Sequence, residues 1–133
     1  MHPQQPHYPA PGYIDLTVQG SVMTSSLVPP KVWINGYPAP SGYGFHRVPV
    51  NPGPAHIEVY AQWMRRYGQA QLDVMVQPGQ CVPVFYALPW HQFTGGSIGH
   101  SKQSRNGAGA FIAMMSALML IVLVPVLLIL FNL

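Results

Sequence analysis

Hydrophobic and polar residues follow two different patterns along the chain. Over residues 14–88 apolar residues alternate with polar ones, which is the spacing at which successive side chains of a strand face opposite sides of a sheet. The clearest alternating segments begin at Ile14, His56, Gln71 and Val82. Over residues 111–131 the side chains are apolar, with Ser116 as the one polar exception. The pattern predicts a β-rich domain followed by a long apolar helix.

Turn-forming residues lie where the predicted strands must end. Asn35-Gly36 can adopt the positive φ angles of a tight hairpin turn, and Asn51-Pro52-Gly53-Pro54 cannot continue a ladder of backbone hydrogen bonds. Gly68 and Pro78-Gly79 mark the next two boundaries. Because no helical segment separates these strands, we expect a mainly β fold. It would be a small antiparallel β-sandwich, or a small open barrel, of about six or seven strands over residues 14–92.

The apolar run is long enough to cross a membrane. A helix needs about 20 consecutive apolar residues to span the hydrocarbon core of a bilayer, and residues 110–131 supply that length without a charge. The alternative is the buried helix of a soluble domain, but a chain of 133 residues is too short to surround such a helix. We therefore predict one C-terminal transmembrane helix over residues 110–131, with a kink at Pro125.

The charges on either side of the predicted helix indicate its orientation. Lys102 and Arg105 precede it, whereas only Asn132 and Leu133 follow it. Positively charged flanks favour the cytoplasmic side of a membrane, and the N-terminal residues show no signal-peptide pattern. We expect a single-pass, tail-anchored protein of the plasma membrane whose N-terminal domain lies in the cytoplasm.

Two segments outside the predicted domain and helix complete the organisation. Residues 1–13 are rich in proline and predict a disordered tail. Residues 93–109 form a Gly/Ser-rich basic linker, which we interpret as a flexible tether. Lys102 and Arg105 lie in this linker, and we expect them to contact an anionic membrane surface.

Small residues recur at every fourth position where the apolar run begins. They are Gly109, Ala113 and Ala117. Small side chains on one face of a transmembrane helix let two helices approach closely. We therefore hypothesise that the protein forms a homodimer through this small-residue stripe.

The charge composition argues against nucleic acid as a partner. Charged residues make up 7% of the chain, and the net charge is +3. The predicted β domain holds three acids and four of the six Lys and Arg residues, so it is nearly neutral. Since nucleic-acid binding requires a clustered basic face, we expect no such partner. The single cysteine cannot form an internal disulfide.

No combination of residues predicts an enzyme, a catalytic residue or a bound cofactor. Asp15, Glu58 and Asp73 lie on separate segments without an evident acid–base pair. Cys81 lies in an apolar segment without a charged neighbour that would favour the thiolate, and we interpret it as a small packed side chain. The glycine-rich residues 95–99 precede a polar segment and not a helix, unlike the glycines of a phosphate loop.

The spacing of the six histidines predicts no metal site. Neither His-x3-His nor His-Glu-x-x-His occurs, and no Cys-x2-Cys accompanies them. One alternative stays open, in which His46 and His56 meet across a hairpin and serve a ligand- or metal-sensing domain.

The segment Trp63-Met64-Arg65-Arg66-Tyr67-Gly68 is the best candidate for a binding site. It is predicted to form a hairpin tip, and it concentrates aromatic, sulfur-containing and basic side chains, which are enriched at protein interfaces and at lipid headgroups. We predict that Trp63, Arg65, Arg66 and Tyr67 bind a protein partner. The alternative is a plain turn in which Trp63 covers the core and the two arginines are solvated.

The order of these segments resembles a PEGA-type β-sandwich. The resemblance is carried by LTVQGS, PPKVWINGYPAP, VPVNPGPAHIEVYAQW and LDVMVQPGQCVPVFYALP. It covers residues 16–88 and departs from the family at residues 42–47, where Gly-Tyr-Gly-Phe-His-Arg replaces a Gly-x-Thr-Pro step. The layout also resembles small uncharacterised tail-anchored membrane proteins of actinobacteria. This resemblance implies a non-catalytic, surface-exposed module without a known substrate.

Two functions of different classes follow from these patterns. The first is a non-catalytic, membrane-tethered interaction or scaffold module at the cytoplasmic face, with the lipid bilayer and an unidentified protein as its partners. The second is a ligand- or metal-sensing domain tethered to the membrane, which would use His46 or His56.

Overall fold

A computed structural model describes residues 10–133 of the chain. Residues 1–9 of the predicted N-terminal tail lie outside the described residues. Gly12 and Tyr13, which the prediction assigns to the tail, are the first two residues of a strand. The β domain therefore begins two residues before its predicted start.

The domain consists of eight strands in two four-stranded sheets. In chain order the strands are β1 (Gly12–Val18), β2 (Lys31–Ile34), β3 (Tyr37–Ala39), β4 (Gly44–Val50), β5 (Gly53–Trp63), β6 (Arg65–Val76), β7 (Cys81–Ala87) and β8 (Ser97–Gly99). One sheet has the order β4-β1-β7-β8 and the other β3-β2-β5-β6. Helix α1 (Ala108–Phe131) follows β8. These elements confirm the predicted β domain with one C-terminal apolar helix.

The alternation of apolar and polar residues explains how the two sheets pack. Along β1, Ile14, Leu16 and Val18 are buried, and the residues between them are partly exposed. Ile57 and Val59 of the opposite sheet are buried in the same core. Each strand therefore turns one apolar face toward the other sheet, as the period of two predicts. The larger number of strands arises from β3 and β8, which have three residues each and are too short to show a period.

The pairing of β1 with β7 differs from the predicted antiparallel arrangement. These strands run parallel, with Ile14 opposite Val82 and Leu16 opposite Val84. The other strand pairings within the described residues are antiparallel. Parallel neighbours need a long crossover connection, and here β2 to β6 lie between them in the chain. The alternation predicts which side chains are buried but not the direction of the neighbouring strand.

The long β5–β6 hairpin turns at one residue and contains a bulge. Trp63 pairs with Arg65, and Met64 between them has a φ of 51°. The register of the two strands shifts between residues 59 and 61. The shift leaves an extra residue in β6, where Gly68 has a φ of 65°. Glycine suits this position because a side chain is rarely tolerated at positive φ.

The two ends of the sandwich have different neighbours. The end that we call the far end is formed by the turns at Asn35-Gly36, Asn51-Pro52 and Pro78-Gly79. The opposite end, which we call the helix-proximal end, is formed by the β1–β2 loop, the Met64 turn and the β7–β8 loop. Helix α1 begins beside this end, because the β7–β8 loop is bonded to the residues that precede the helix.

Residues 93–109 pack against the domain, which corrects the prediction of a flexible tether. Ser97–Gly99 form β8 and pair with β7. The glycines permit a close approach, since a Cβ at Gly96 would lie 2.5 Å from the carbonyl oxygen of Gly68. Glycine therefore serves close packing here. Composition alone cannot distinguish this role from flexibility.

Helix α1 carries apolar side chains on every face. It has 24 residues, begins two residues before its predicted start and continues through Pro125. At 1.5 Å per residue it is about 36 Å long, which exceeds the roughly 30 Å of a hydrocarbon core. None of its residues is buried. The helix is therefore long and apolar enough to cross a membrane, whereas the kink at Pro125 stays a prediction.

Candidate functional site

One ion pair joins the edge strand β4 to its neighbour β1 in the first sheet. The Arg47 Nε–H donates to Asp15 Oδ1 at 2.8 Å, and Nη2 donates to Oδ2 at 3.1 Å. The hydrogen bond from Arg47 is the main reason that the pKa of Asp15 lies below its ordinary value. Because the Arg47 side chain is 55% exposed, solvent screens the pair, and it contributes little to stability.

The other two acids of the chain contact a single histidine. The Nδ1 atom of His56 lies 2.5 Å from Asp73 Oδ1, and Nε2 lies 3.1 Å from Glu58 Oε1. The hydrogen bond to Asp73, followed by that to Glu58, raises the pKa of His56 above its ordinary value. The carboxylates occupy opposite sides of the ring, so they stabilise an imidazolium. Metal ligands would instead converge on one point.

His46 and His56 do not meet across a hairpin, which corrects that hypothesis. His46 lies on β4 and His56 on β5, and these consecutive strands belong to different sheets. The chain crosses from one sheet to the other at Asn51-Pro52. The His46 ring instead donates to the carbonyl oxygen of Gly42 at 3.1 Å. Among residues 10–133, His, Cys, Asp and Glu form no group of three that could hold a metal ion.

Cys81 is exposed at the start of β7 and is not packed in the core. The prediction of a packed side chain is wrong because the alternation along β7 turns Val82 and Val84 inward and therefore turns Cys81 outward.

The two arginines predicted to bind a partner lie at the surface of the hairpin tip. The guanidinium of Arg66 lies 4.6 Å from the ring centroid of Tyr60, and that of Arg65 lies 5.9 Å from the ring centroid of Phe93. Such cation–π contacts are worth about 0.5–1 kcal/mol at exposed sites. The aromatic rings therefore hold both guanidinium groups in place while leaving them accessible.

Trp63 and Tyr67, the two aromatic residues of the predicted site, line a groove at the helix-proximal end. The groove has a volume of about 430 Å³, and Trp90, Phe93 and Met114 form other parts of its wall. Trp63 is 55% exposed and Phe93 71% exposed, whereas Tyr67 is partly buried against the core. Trp90, Phe93 and Met114 were not predicted as site residues because they lie far from the tip in sequence.

Arg105, which was predicted to contact the membrane surface, is bound to the domain. Its Nε donates to the carbonyl oxygen of Leu88 at 3.0 Å, Nη1 to that of Thr24 at 2.9 Å and Nη2 to that of Pro89 at 3.1 Å. The guanidinium also lies 4.0 Å from the ring centroid of Trp90. Partial burial lowers the pKa of Arg105. These bonds hold Arg105 against the domain, and its contact with a membrane surface stays a prediction.

Lys102 and the small-residue stripe lie at the surface of the structure. Lys102 is exposed, so its contact with a membrane surface stays a prediction. Gly109, Ala113 and Ala117 lie on α1 and are exposed. A Cβ at Gly109 would meet no atom of the described residues within 4 Å. The homodimer stays a prediction.

A second groove lies at the far end, between the edge strands β3 and β4. Its volume is about 380 Å³, and it is lined by Pro11, Ile34, Asn35, Tyr37, Pro38, Ala39, Pro40, Val48, Pro49, Val50 and Asn51. Ile34 and Val48 are buried, whereas the side chain of Tyr37 is 75% exposed. The groove therefore has an apolar floor and an aromatic, proline-rich rim. Sequence reasoning missed it because the two edge strands belong to different sheets.

No family model matches the chain, and no curated protein matches it. The resemblance of residues 16–88 to PEGA-type domains therefore stays a prediction, as does the resemblance to actinobacterial membrane proteins.

Proposed function

We propose that this chain is a membrane-anchored, non-catalytic interaction module. Helix α1 holds the β-sandwich at a bilayer, and the far-end groove binds an extended segment of a protein partner. The main support for this proposal is that the sandwich is open between β3 and β4. This opening lies at the end opposite the helix.

One side of the sandwich is closed by a backbone hydrogen bond between the sheets, and the other side is open. On one side the Gly96 N–H donates to the carbonyl oxygen of Gln69 at 3.2 Å, which joins the loop before β8 to strand β6. On the other side the edge strands β3 and β4 border the far-end groove. A partner segment can therefore enter between the sheets on the open side without displacing a strand, but it cannot do so on the closed side.

The chemistry of the far-end groove favours an extended, proline-containing segment. Pro38 and Pro49 lie on the edge strands and have no N–H to donate, so they disfavour the addition of a further strand. Aromatic and proline-rich grooves bind polyproline-type segments through side-chain contacts. Tyr37 supplies the exposed ring, and the amides of Asn35 and Asn51 on the rim can bond the carbonyl groups of the segment.

Photo-crosslinking in native membranes tests the far-end groove. A photoreactive phenylalanine at Tyr37 is expected to form a protein adduct. The matched control carries the same photoreactive phenylalanine in place of Met75, which is 59% exposed on β6 outside the groove. The Pro49→Glu substitution is expected to abolish the adduct formed at position 37. Equal yields from Tyr37 and Met75 would contradict the proposed groove, and an adduct from Trp63 would favour the predicted site at the hairpin tip.

We also propose that the domain lies on the cytoplasmic side of the plasma membrane. Lys102 and Arg105 precede the helix, and positive residues near a span favour the cytoplasmic side. Cys81 is exposed and is the single cysteine of the chain, so it reports the topology directly. A membrane-impermeant maleimide should label Cys81 only after the cells are permeabilised. Labelling of intact cells would contradict this orientation.

The metal-sensing alternative is tested by titration with zinc. Because His46 and His56 lie on different sheets and His56 is bound by two carboxylates, we expect no saturable shift of either imidazole resonance at micromolar zinc. A saturable shift of both would favour the sensing function over the interaction module.

A further inference from the structure

Exposed apolar side chains are unequally distributed between the two ends of the sandwich. The far-end turns consist of Asn, Gln, Pro and Gly residues. The helix-proximal loops instead expose several large apolar side chains, of which the four most exposed are Met23 (89% exposed), Leu27 (75%), Met64 (97%) and Phe93 (71%). These four residues, which we call the loop cluster, come from three different loops. Single exposed apolar residues are ordinary on a protein surface, but several loops that share one end form an apolar face.

The loop cluster lies beside the start of the apolar helix. The Trp90 N–H donates to the carbonyl oxygen of Asn106 at 2.9 Å, and α1 begins at Ala108. The Trp90 ring stacks on Phe111 with the ring centroids 5.3 Å apart. Because these contacts leave almost no free chain between the domain and the helix, the helix-proximal end lies where α1 enters the bilayer.

The hairpin tip reaches beyond the first turn of the helix. Met114 lines the same groove as Trp63, and it lies six residues after Ala108. Six residues correspond to about 9 Å along a helix axis, which is comparable to the roughly 5–10 Å depth of the boundary between headgroups and acyl chains.

The charges near the loop cluster match an anionic lipid surface. Arg65 and Arg66 follow Met64 and are exposed. The three acids of the chain all lie within strands: Asp15 in β1, Glu58 in β5 and Asp73 in β6. The three loops that carry the loop cluster therefore contain no acid, so no carboxylate of these loops opposes the two arginines.

From these observations we infer that the loop cluster inserts into the bilayer that holds helix α1. Met23, Leu27, Met64 and Phe93 lie at the acyl boundary, and Arg65 and Arg66 contact lipid phosphates. Tryptophan rings favour this depth, and Trp63 and Trp90 line the same groove as Phe93 of the loop cluster. The domain then stands on the membrane in a fixed orientation, and its far end points away from the lipid. The inference requires α1 to span a bilayer, but it does not require a protein partner at the far-end groove.

Depth-dependent quenching of a fluorescent label tests the insertion. The full chain carrying Cys81→Ser is labelled at Met64→Cys with an environment-sensitive dye and reconstituted in vesicles of phosphatidylcholine and phosphatidylglycerol. Because Met64 is 97% exposed, the substitution leaves the core intact. Nitroxide lipids should quench this label about twofold or more above a label at Asn51→Cys of the far end, since only the former lies at the acyl boundary. Labels at Met23→Cys and Phe93→Cys should behave like the label at Met64→Cys.

Charge reversal tests the contact with phosphate. Arg65→Glu/Arg66→Glu should lower the lipid quenching of the Met64→Cys label in the anionic vesicles, and unchanged quenching would overturn the role of the two arginines. Equal access of aqueous iodide to the labels at residues 64 and 51 would overturn the insertion itself. The loop cluster would then be free for a protein. Because these vesicles contain no other protein, the outcome is independent of crosslinking at Tyr37.

Discussion

Gly68 and Tyr86 join the bulge of the β5–β6 hairpin to the opposite sheet. The Tyr86 hydroxyl, which is buried, donates to the carbonyl oxygen of Gly68 at 2.6 Å. Burial raises the pKa of Tyr86, so this hydroxyl keeps its proton. A Cβ at Gly68 would lie 2.9 Å from the Tyr86 hydroxyl oxygen and 3.0 Å from the Cδ of Pro89. Gly68 is therefore required for two reasons, its positive φ and this close approach.

Gly68→Ala should destabilise the domain more than Gly79→Ala. Both glycines have positive φ, but a Cβ at Gly79 would meet no atom of residues 10–133 within 4 Å. Gly79→Ala should cost about 1–2 kcal/mol from backbone strain alone, and Gly68→Ala a further 1–3 kcal/mol or so from crowding. Urea denaturation of the full chain in detergent, followed by tryptophan fluorescence, measures both changes. Equal losses would show that the crowding is relieved without cost.

His56 should titrate above its ordinary value of 6.5. Its charged form is held by Asp73 and Glu58, so folding favours protonation. The resulting stabilisation is complete below about pH 6.5 and is lost as the pH rises through the pKa of the folded state. NMR titration of the His56 ring measures this pKa. Asp73→Asn should lower it more than Glu58→Gln, and the reverse order would contradict the dominant role of Asp73.

Arg105 joins two loops to the segment that precedes helix α1. Its three nitrogen atoms each donate to a different backbone carbonyl group, in the β1–β2 and β7–β8 loops. A planar guanidinium suits this arrangement because its donors diverge in fixed directions. The side chain therefore sets how the first turn of α1 meets the helix-proximal end.

Arg105→Lys should weaken this junction although it keeps the charge. One ammonium group cannot reach three separated carbonyl groups, so we expect a loss of about 1–3 kcal/mol. Hydrogen exchange of the Trp90 amide, which is bonded to Asn106, should become faster. Lys102→Arg is the matched control, since Lys102 is exposed. Unchanged exchange in Arg105→Lys would contradict the role of the guanidinium.

In the whole molecule, the β domain and the small-residue stripe use different sides of helix α1. Phe111 and Met114 face the domain, since Phe111 stacks on Trp90 and Met114 lines the helix-proximal groove. At 3.6 residues per turn, the stripe of Gly109, Ala113 and Ala117 lies roughly 130° around the axis from those two residues. The domain therefore leaves the stripe free to approach a second helix.

Gly109→Ile/Ala113→Ile should lower the yield of crosslinked homodimer in native membranes. Larger side chains on the stripe would keep two helices apart. Met115→Ile is the matched control, because Met115 lies on the other side of the helix and is also exposed. An unchanged dimer yield in the double variant would contradict dimerisation through this stripe.

Local patterns allowed the strands and the helix to be predicted, but not the surroundings of several residues. The burial of Ile14, Leu16 and Val18 follows from alternation alone. Arg105 was assigned to the membrane surface because its charge and position in a polar segment are visible in sequence, whereas its bonds to Leu88 and Thr24 are not. The hairpin tip was recognised from its composition, but its neighbour Phe93 comes from another loop.

The sequence by itself determined the β domain, the positions of its turns and the apolar helix, because each depends on the spacing or the length of a continuous segment. Only the tertiary structure decided that β1 and β7 are parallel, that residues 93–109 are packed and that the apolar loops share one end with the helix. These features join residues that are far apart in the chain, as when Gln103 bonds to Gln19 across 84 positions. Such contacts depend on the path of the whole chain, which no local pattern specifies.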